Sequence, residues 1–183
     1  MDLQTALRAR IRTIPDYPKP GIFFKDITPL LQDPPLLTRC IGAITGAYPA
    51  GGFDAVGGIE ARGLIFGVLV AHTAGKPFFP FRKVGKLPYR SLREPYDLEY
   101  GQAEIEIHVD AIAPGQRVLI IDDLLATGGT AAAAARLVRR AGAEIAGVAF
   151  VVELAFLPGR DALHTAGVAD DRIVSLVEYA AGE

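Results

Sequence analysis

Cysteine is nearly absent. Cys40 alone occurs among 183 residues, so no internal disulfide can form and no CxxC metal or redox pair exists. A reducing compartment is the corresponding expectation, with Cys40 a small buried hydrophobe. Long apolar runs are also missing: stretches such as Val118 to Ile121 and Gly63 to Ala71 fall well short of the ~18 residues a membrane span needs. The N-terminus MDLQTALRARIRTIP carries Asp2 and three arginines and lacks the continuous apolar core of a signal peptide. A soluble, cytoplasmic protein is expected, with no membrane partner. No excess of one charge is present either: 19 basic against 21 acidic residues give a net charge of −2, which argues against a protein that coats nucleic acid or an anionic membrane. Neither GxxxxGKS/T nor GxGxxG occurs, so a nucleotide P-loop and a dinucleotide Rossmann site lose their main support.

What is present is ordinary globular material, half apolar and 22% charged, at a length that fits one domain. Leu3, Leu7 and Ile11 share one stripe, so residues 2–12 read as a short amphipathic helix. Pro15, Pro18, Pro20 and Gly21 then break the chain into an irregular segment. Asp33-Pro34-Pro35 suits a helix start, because aspartate caps well and proline fits the first turn; this helix should reach about Ala47. Strands are expected at 54–59, 78–81, 103–110, 117–121, 146–152 and 173–177, and helices at 64–73, 129–141 and 160–166. Within 103–110, Ile105, Ile107 and Val109 alternate with Glu104, Glu106 and His108, which assigns the last three to a solvated face. Residues 83–100, with two prolines and three tyrosines, fit neither element; a loop that long is usually a functional lid or disordered. Strands alternating with helices give an α/β fold, a mostly parallel twisted sheet flanked by helices. Ligands on such sheets bind beyond the carboxyl ends of the strands, here just after Ile59, Ile121 and Val152.

The strongest chemical signal is VLIIDDLLATGGT, residues 118–130. Four aliphatics deliver Asp122 and Asp123 to the expected strand end, and Thr127, Gly128, Gly129 and Thr130 lead into a helix. Glycines let the backbone approach a ligand, and a helix start leaves N–H groups unpaired. A phosphate fits that cup, while the carboxylates suit sugar hydroxyls or magnesium-bound water beside it. The alternative is a plain strand–turn–helix with exposed aspartates; the whole string favours a phosphorylated sugar held in a fixed orientation.

These residues resemble the PRPP (phosphoribosyl diphosphate) signature of the type I phosphoribosyltransferases. The similarity to the adenine phosphoribosyltransferases is closer still and extends over KPGIFFKDITPLL (19–31), GGIEARGLIFG (57–67), FRKVGKLP (81–88), YDLEYGQAEIEIH (96–108), PGQRVLIIDDLLATGGT (114–130) and VVELAFLPGRDAL (151–163). The resemblance implies the type I phosphoribosyltransferase fold as a single domain over 1–183, with residues 1–33 an N-terminal helix and base-binding hood and 83–100 a flexible lid loop. It implies transfer of ribose 5-phosphate from PRPP to N9 of adenine, giving AMP and diphosphate, with Mg²⁺ as cofactor and a homodimer as the assembly.

The residue roles it implies agree with what each side chain can do. Ala126, Thr127, Gly128, Gly129 and Thr130 would hold the 5′-phosphate. Asp122 and Asp123 would take the ribose hydroxyls and, through water, a Mg²⁺ carried mainly by PRPP, with no direct protein ligand. Arg82, Lys83 and Lys86 would meet diphosphate, one of them across the dimer interface, and Arg62 is the other diphosphate candidate; Arg90 and Arg93, in the same basic stretch as the lysines, read as solvated. Phe23, Phe24, Lys25 and Leu154 would form the adenine site, the phenylalanine giving a flat face and the main chain an edge complementary to N6 and N1. Hypoxanthine-guanine phosphoribosyltransferases place an aspartate before Thr-Gly as proton acceptor. Here Ala126 stands there, and the matching candidate is Glu99 in LEYG, whose alternative is a residue that merely ends the loop. A sibling enzyme acting on another base is disfavoured by Ala126, and a PRPP-sensing nucleic-acid regulator by the acidic pI and the lack of a basic module. His108 with Glu104 and Glu106 reads as a wet strand face rather than a metal cluster, and His72 and His164 lack the constellation of a hydrolase triad.

Overall fold

The structure, a computed structural model, describes residues 1–97 and 101–183. Its strands are β1 (Arg12–Ile14), β2 (Phe24–Asp26), β3 (Ala55–Ile59), β4 (Phe78–Lys83), β5 (Ser91–Asp97), β6 (Gln102–His108), β7 (Arg117–Leu125), β8 (Glu144–Leu154) and β9 (Ile173–Tyr179). Its helices are α1 (Leu3–Arg10), α2 (Thr28–Leu31), α3 (Pro34–Gly46), α4 (Gly63–Ala74), α5 (Gly129–Arg140) and α6 (Gly159–Thr165). The Asp33 carboxylate accepts the Leu36 N–H, and prolines occupy the first turn of α3, so the start signal in the sequence works as local chemistry.

β1 and β2 form a separate antiparallel ribbon in the N-terminal segment. The other strands make one sheet in the order β5-β6-β4-β3-β7-β8-β9. From β4 to β9 every neighbouring pair is parallel, and the β5–β6 hairpin adds an antiparallel edge beside β4. The mostly parallel α/β architecture expected from the alternation of elements is therefore the one found. Alternate residues of β7 feed two cores: Val118 and Ile120 join a cluster with α5 and α6, whereas Leu119 and Ile121 join α1, α3 and α4 on the other face. Cys40 lies fully buried in the second core, where burial pushes its thiol up to about 11. The chain runs from β3 outward to β4 and then returns to β7 on the other side, so β3 and β7 flank the switch point where crevices open in such sheets.

Close approach of α4 to this point depends on glycine. A Cβ at Gly67 would stand 2.8 Å from the Phe78 ring and 3.0 Å from the Gly58 Cα. That packing brings the start of α4, and Arg62 just before it, against the end of β3 and against Ile121 and Asp122 of β7.

Three expectations are corrected. Residues 83–100 are not one irregular lid: β4 extends to Lys83, and Ser91–Asp97 is the strand β5, paired with β6 along its length. Its inward row reads Leu92, Glu94, Tyr96, and the charge in the middle hides the period. Glu94 is buried because Arg136 and Arg140 of α5 each reach its carboxylate at 2.6 Å. Second, β7 does not end at Ile121 but runs to Leu125, so Asp122 and Asp123 lie within the strand. Third, Glu106 faces away from the core as its alternation requires, yet is only 1% exposed because the turn after β4 folds over it.

Gly67→Ala tests the helix approach. Overpacking of this kind costs about 1–3 kcal/mol, and at this chain length a loss of ~2 kcal/mol lowers Tm by roughly 4–8 °C. An unchanged Tm by calorimetry would show that α4 has slack against the sheet.

Candidate active site

The segments that leave β3 and β7 build the site. Behind β3, Glu60, Ala61 and Arg62 lead straight into α4. On β7, Asp123 is buried, while Asp122 is half-buried against Gly63, where a Cβ would come within 2.7 Å of its Oδ1. The Arg62 Nε donates to the Asp123 Oδ2 at 2.5 Å, and the Asp123 N–H donates to the Asp122 Oδ1 at 2.8 Å. Burial pushes the Asp122 carboxyl well above the ordinary carboxylate range, the charge on Asp123 pushes the same way, and the Asp123 N–H and Arg62 oppose them.

Past Leu125 the chain makes a short turn, Ala126 to Gly128, and enters α5. Gly128 has φ +79°, and a Cβ there would lie 2.5 Å from the Gly159 carbonyl oxygen, so conformation and the neighbouring α6 both require glycine. No side chain caps α5 and its first turn carries no acid. The N–H groups of that turn and the positive end of the helix dipole are thus open to an anion. Thr127 is exposed and Thr130 partly so, which leaves their hydroxyls within the same rim.

At the end of β4 the Glu60 carboxylate gathers one side-chain and one main-chain donor. Arg82 Nε donates to the Glu60 Oε2 at 2.9 Å, and the Lys83 N–H donates to the same oxygen at 2.8 Å. Burial raises the Glu60 pKa, but these donors outweigh it and the carboxyl lies below its ordinary value. The Lys83 and Lys86 side chains are exposed.

A cavity of ≈ 500 Å³ opens beside the cup, lined mostly by apolar groups. Gly21 to Lys25 form one wall; Leu124, Ala126 and Thr127 the floor; Leu154, Phe156 and Leu157 the far side; and residues 181–183 the rest. Phe24 has Tyr17 edge-on at 5.3 Å between centroids and the Arg62 guanidinium 5.4 Å from its ring centre. Phe23 is 42% exposed at the mouth. The Lys25 side chain is engaged elsewhere: its buried ammonium donates to the Thr13 hydroxyl at 2.9 Å and the Glu183 carbonyl at 2.6 Å, over the Tyr179 ring. Burial lowers its pKa.

Arg62, Asp122, Asp123, the turn 126–130, Phe24 and Leu154 therefore converge on one crevice, with Arg82, Lys83 and Lys86 on the adjoining β4 edge. Glu99 lies outside the described residues. Sequence reasoning missed Glu60 as the partner of Arg82, although it sits in the quoted GGIEARG string, and missed Phe156 and Leu157 beside Leu154. The 181–183 wall carries no local signal. Among the described residues no group of three or more His, Cys, Asp or Glu is arranged to hold a metal; the acidic donors at the site are Asp122 and Asp123.

Comparison with known proteins bears on this geometry. The model of the phosphoribosyl transferase domain family matches residues 27–176. A relative from Methylococcus capsulatus, an adenine phosphoribosyltransferase, is 53% identical over 173 residues, 94% of this chain and 98% of that protein. The crystal structure of adenine phosphoribosyltransferase from Thermoanaerobacter pseudethanolicus is similar with a TM-score of 0.90 at 44% identity, over 97% of this chain and 100% of that one. The enzyme from Saccharomyces cerevisiae, crystallised with an imino-altritol bisphosphate and adenine, gives 0.87 at 36% identity, over 95% and 98% of the two chains.

Asp122 has a consequence for stability. Its folded pKa lies above its unfolded value, so its ionised form opposes folding above the folded pKa and the penalty vanishes below the unfolded one. Asp122→Asn is expected to raise Tm at pH 7–8, with a gain that shrinks as pH falls toward 4. Calorimetry across that range checks it; a Tm difference independent of pH contradicts it.

Proposed function

The chain belongs to the phosphoribosyltransferase family, and from that premise we propose that it transfers the 5-phosphoribosyl group of PRPP to N9 of adenine, giving AMP and diphosphate. The observation that carries this reading is the junction of three features at one switch point: an acidic pair with Asp123 buried and Asp122 half-buried, an uncapped helix start and an apolar cavity sized for a flat base. The length over which the chain matches adenine phosphoribosyltransferases supports it, as does the adenine in the yeast complex.

Each residue has a task in that reaction. The turn Ala126–Thr130 takes the 5′-phosphate with main-chain N–H groups and two hydroxyls. Asp122 and Asp123 accept from the ribose hydroxyls and fix the ring in front of the cavity. Phe24 and Leu154 enclose the base, Phe23 closes the mouth, and the main chain of Phe23 and Lys25 faces its polar edge. β2 has a strand partner on one side only, which supports this use of its other edge.

Departure of diphosphate leaves positive charge on the ribose ring and negative charge on the leaving group. Arg62, Arg82, Lys83 and Lys86 neutralise the latter. Arg62 is then shared: as its guanidinium turns to diphosphate, Asp123 is released to the sugar. The donor set suits Mg²⁺ only as an ion held chiefly by substrate oxygens and water, since Asp122 and Asp123 are two carboxylates, too few for an all-protein cage. Bound there, Mg²⁺ supplies positive charge at the departing diphosphate. Glu99 handles the proton of the purine.

The outer face of α4, with Ile65 41% and Val68 47% exposed, supports a homodimer. Among the described residues no helix is long and apolar enough to cross a membrane, in keeping with a cytoplasmic enzyme.

A purine panel assayed with PRPP and Mg²⁺ tests the reaction. Adenine should yield AMP with a kcat/KM about 10⁴-fold above that for hypoxanthine, which reverses the donor and acceptor at the main-chain edge; equal turnover would refute the specificity. Glu99→Gln should lower kcat by about 10²–10⁴-fold while the KM for PRPP stays within about threefold. Unaltered kcat would remove its proton role.

A further inference from the structure

Among the described residues five charged side chains are buried: Lys25, Glu94, Glu106, Asp123 and Glu153. Three have an arginine within 2.7 Å: Glu94 has Arg136 and Arg140, Asp123 has Arg62, and Glu153 has Arg160. Lys25 has the Thr13 hydroxyl and a carbonyl. Glu106 is different. One of its oxygens accepts the N–H groups of Gly85 at 2.9 Å, Lys86 at 3.2 Å and Leu87 at 3.2 Å. The other accepts the Ser91 hydroxyl at 2.7 Å, and the nearest cation, Arg93, stands off at 3.4 Å on a half-exposed side chain. Burial works against the charge on Glu106, but the Ser91 hydroxyl and the three N–H groups outweigh it and hold the carboxyl below its ordinary pKa.

Three successive N–H groups converging on one oxygen form the nest that proteins elsewhere offer to a bound anion. Here the protein fills it with its own carboxylate, in the middle of a strand. A side chain on β6 thereby ties down the turn between β4 and β5. On the outside of that turn stand Lys83 and Lys86, both exposed, with the Lys86 N–H also donating to the Lys83 carbonyl at 3.2 Å.

We propose that Glu106 is a positioning residue of the transfer reaction: it clamps the 83–91 turn from beneath and so fixes the main chain from which Lys83 and Lys86 reach the diphosphate of PRPP. A turn already ordered by four hydrogen bonds does not have to be ordered when PRPP arrives, which lowers the entropic cost of binding. The proposal rests on the reading of Lys83 and Lys86 as diphosphate ligands.

The test combines steady-state kinetics, calorimetry and amide hydrogen exchange on the full chain. Glu106→Gln should raise the KM for PRPP about tenfold, the equivalent of ~1.4 kcal/mol, with kcat at saturating PRPP and the KM for adenine within about twofold. Exchange at the 85–87 amides should accelerate. Ser91→Ala, which removes one donor and leaves the nest filled, should raise the KM for PRPP about two- to threefold and provides the readout if the Gln variant does not fold. Because Glu106 acts through the lysines, adding Glu106→Gln to Lys86→Ala should cost less than the product of the two single effects. A Glu106→Gln protein with lowered Tm but unaltered KM for PRPP would make the residue purely structural and overturn the proposal, as would full multiplicativity with Lys86→Ala. In the event of a non-folding Gln variant, an unaltered KM in Ser91→Ala would do the same. Wild-type PRPP affinity in Lys83→Ala and Lys86→Ala would instead defeat the lysine assignment on which the proposal stands.

Discussion

The contact between Arg62 and Asp123 joins the two halves of the site, and most of the surrounding structure serves to make it possible. Burial, and after it the neighbouring charge on Asp123, makes the Asp122 carboxyl resist ionisation. A guanidinium at 2.5 Å from Asp123 offsets part of that effect. The arginine can stand there only because α4 begins against β7 at Ile121 and Asp122, and α4 can begin there only because glycines at 58, 63 and 67 remove the side chains that would hold the helix off. The switch point between β3 and β7 supplies the crevice; glycine packing delivers a cation into it.

That same arginine reaches the base side of the site. Its guanidinium lies over the Phe24 ring, so the N-terminal wall of the cavity and the acidic strand share one residue. In the proposed reaction, movement of Arg62 toward diphosphate would free Asp123 and the Phe24 face together and so link sugar binding to base binding through a single side chain. The opposite wall is tied differently. Lys25 and Arg8 both reach Glu183, so residues 181–183 are held at the cavity by cations placed far away in the sequence.

The readable parts of the chain were those governed by local rules. Continuous aliphatic runs marked the parallel strands, Asp33-Pro34-Pro35 marked a capped helix, and the string from Val118 to Thr130 marked an acidic pair followed by a glycine turn into a helix. The family resemblance, carried by six ordered blocks, assigned roles that composition and spacing alone could not. What stayed hidden depended on distant partners. β5 looked irregular because Glu94 interrupts its inward row, and the arginines that make that charge tolerable lie more than forty residues on. Glu106 sat on the expected face, but alternation says nothing about a turn folding over that face. The extension of β7 beyond Ile121 was missed because two aspartates resemble a strand end when the pairing of Leu124 and Leu125 with β8 is out of view.

Across β3, β4, β6 and β5 the polar groups alternate in sign: Glu60 beside Arg82, then Glu106, then Arg93. With Arg62 on Asp123, both arginines proposed to meet diphosphate thus carry a carboxylate partner in this structure. In both pairs the arginine is partly exposed and the carboxylate mostly buried, so a ligand with several negative charges displaces Glu60 or Asp123 only by offsetting the loss of that partner with its own charge-assisted bonds. The carboxylates then act as place-holders that keep a basic surface in register and prevent its cations from repelling one another. Glu106 stands apart in that row, because its main partners are backbone groups no anion can turn away. The row therefore divides into pairs that exchange and one anchor that stays.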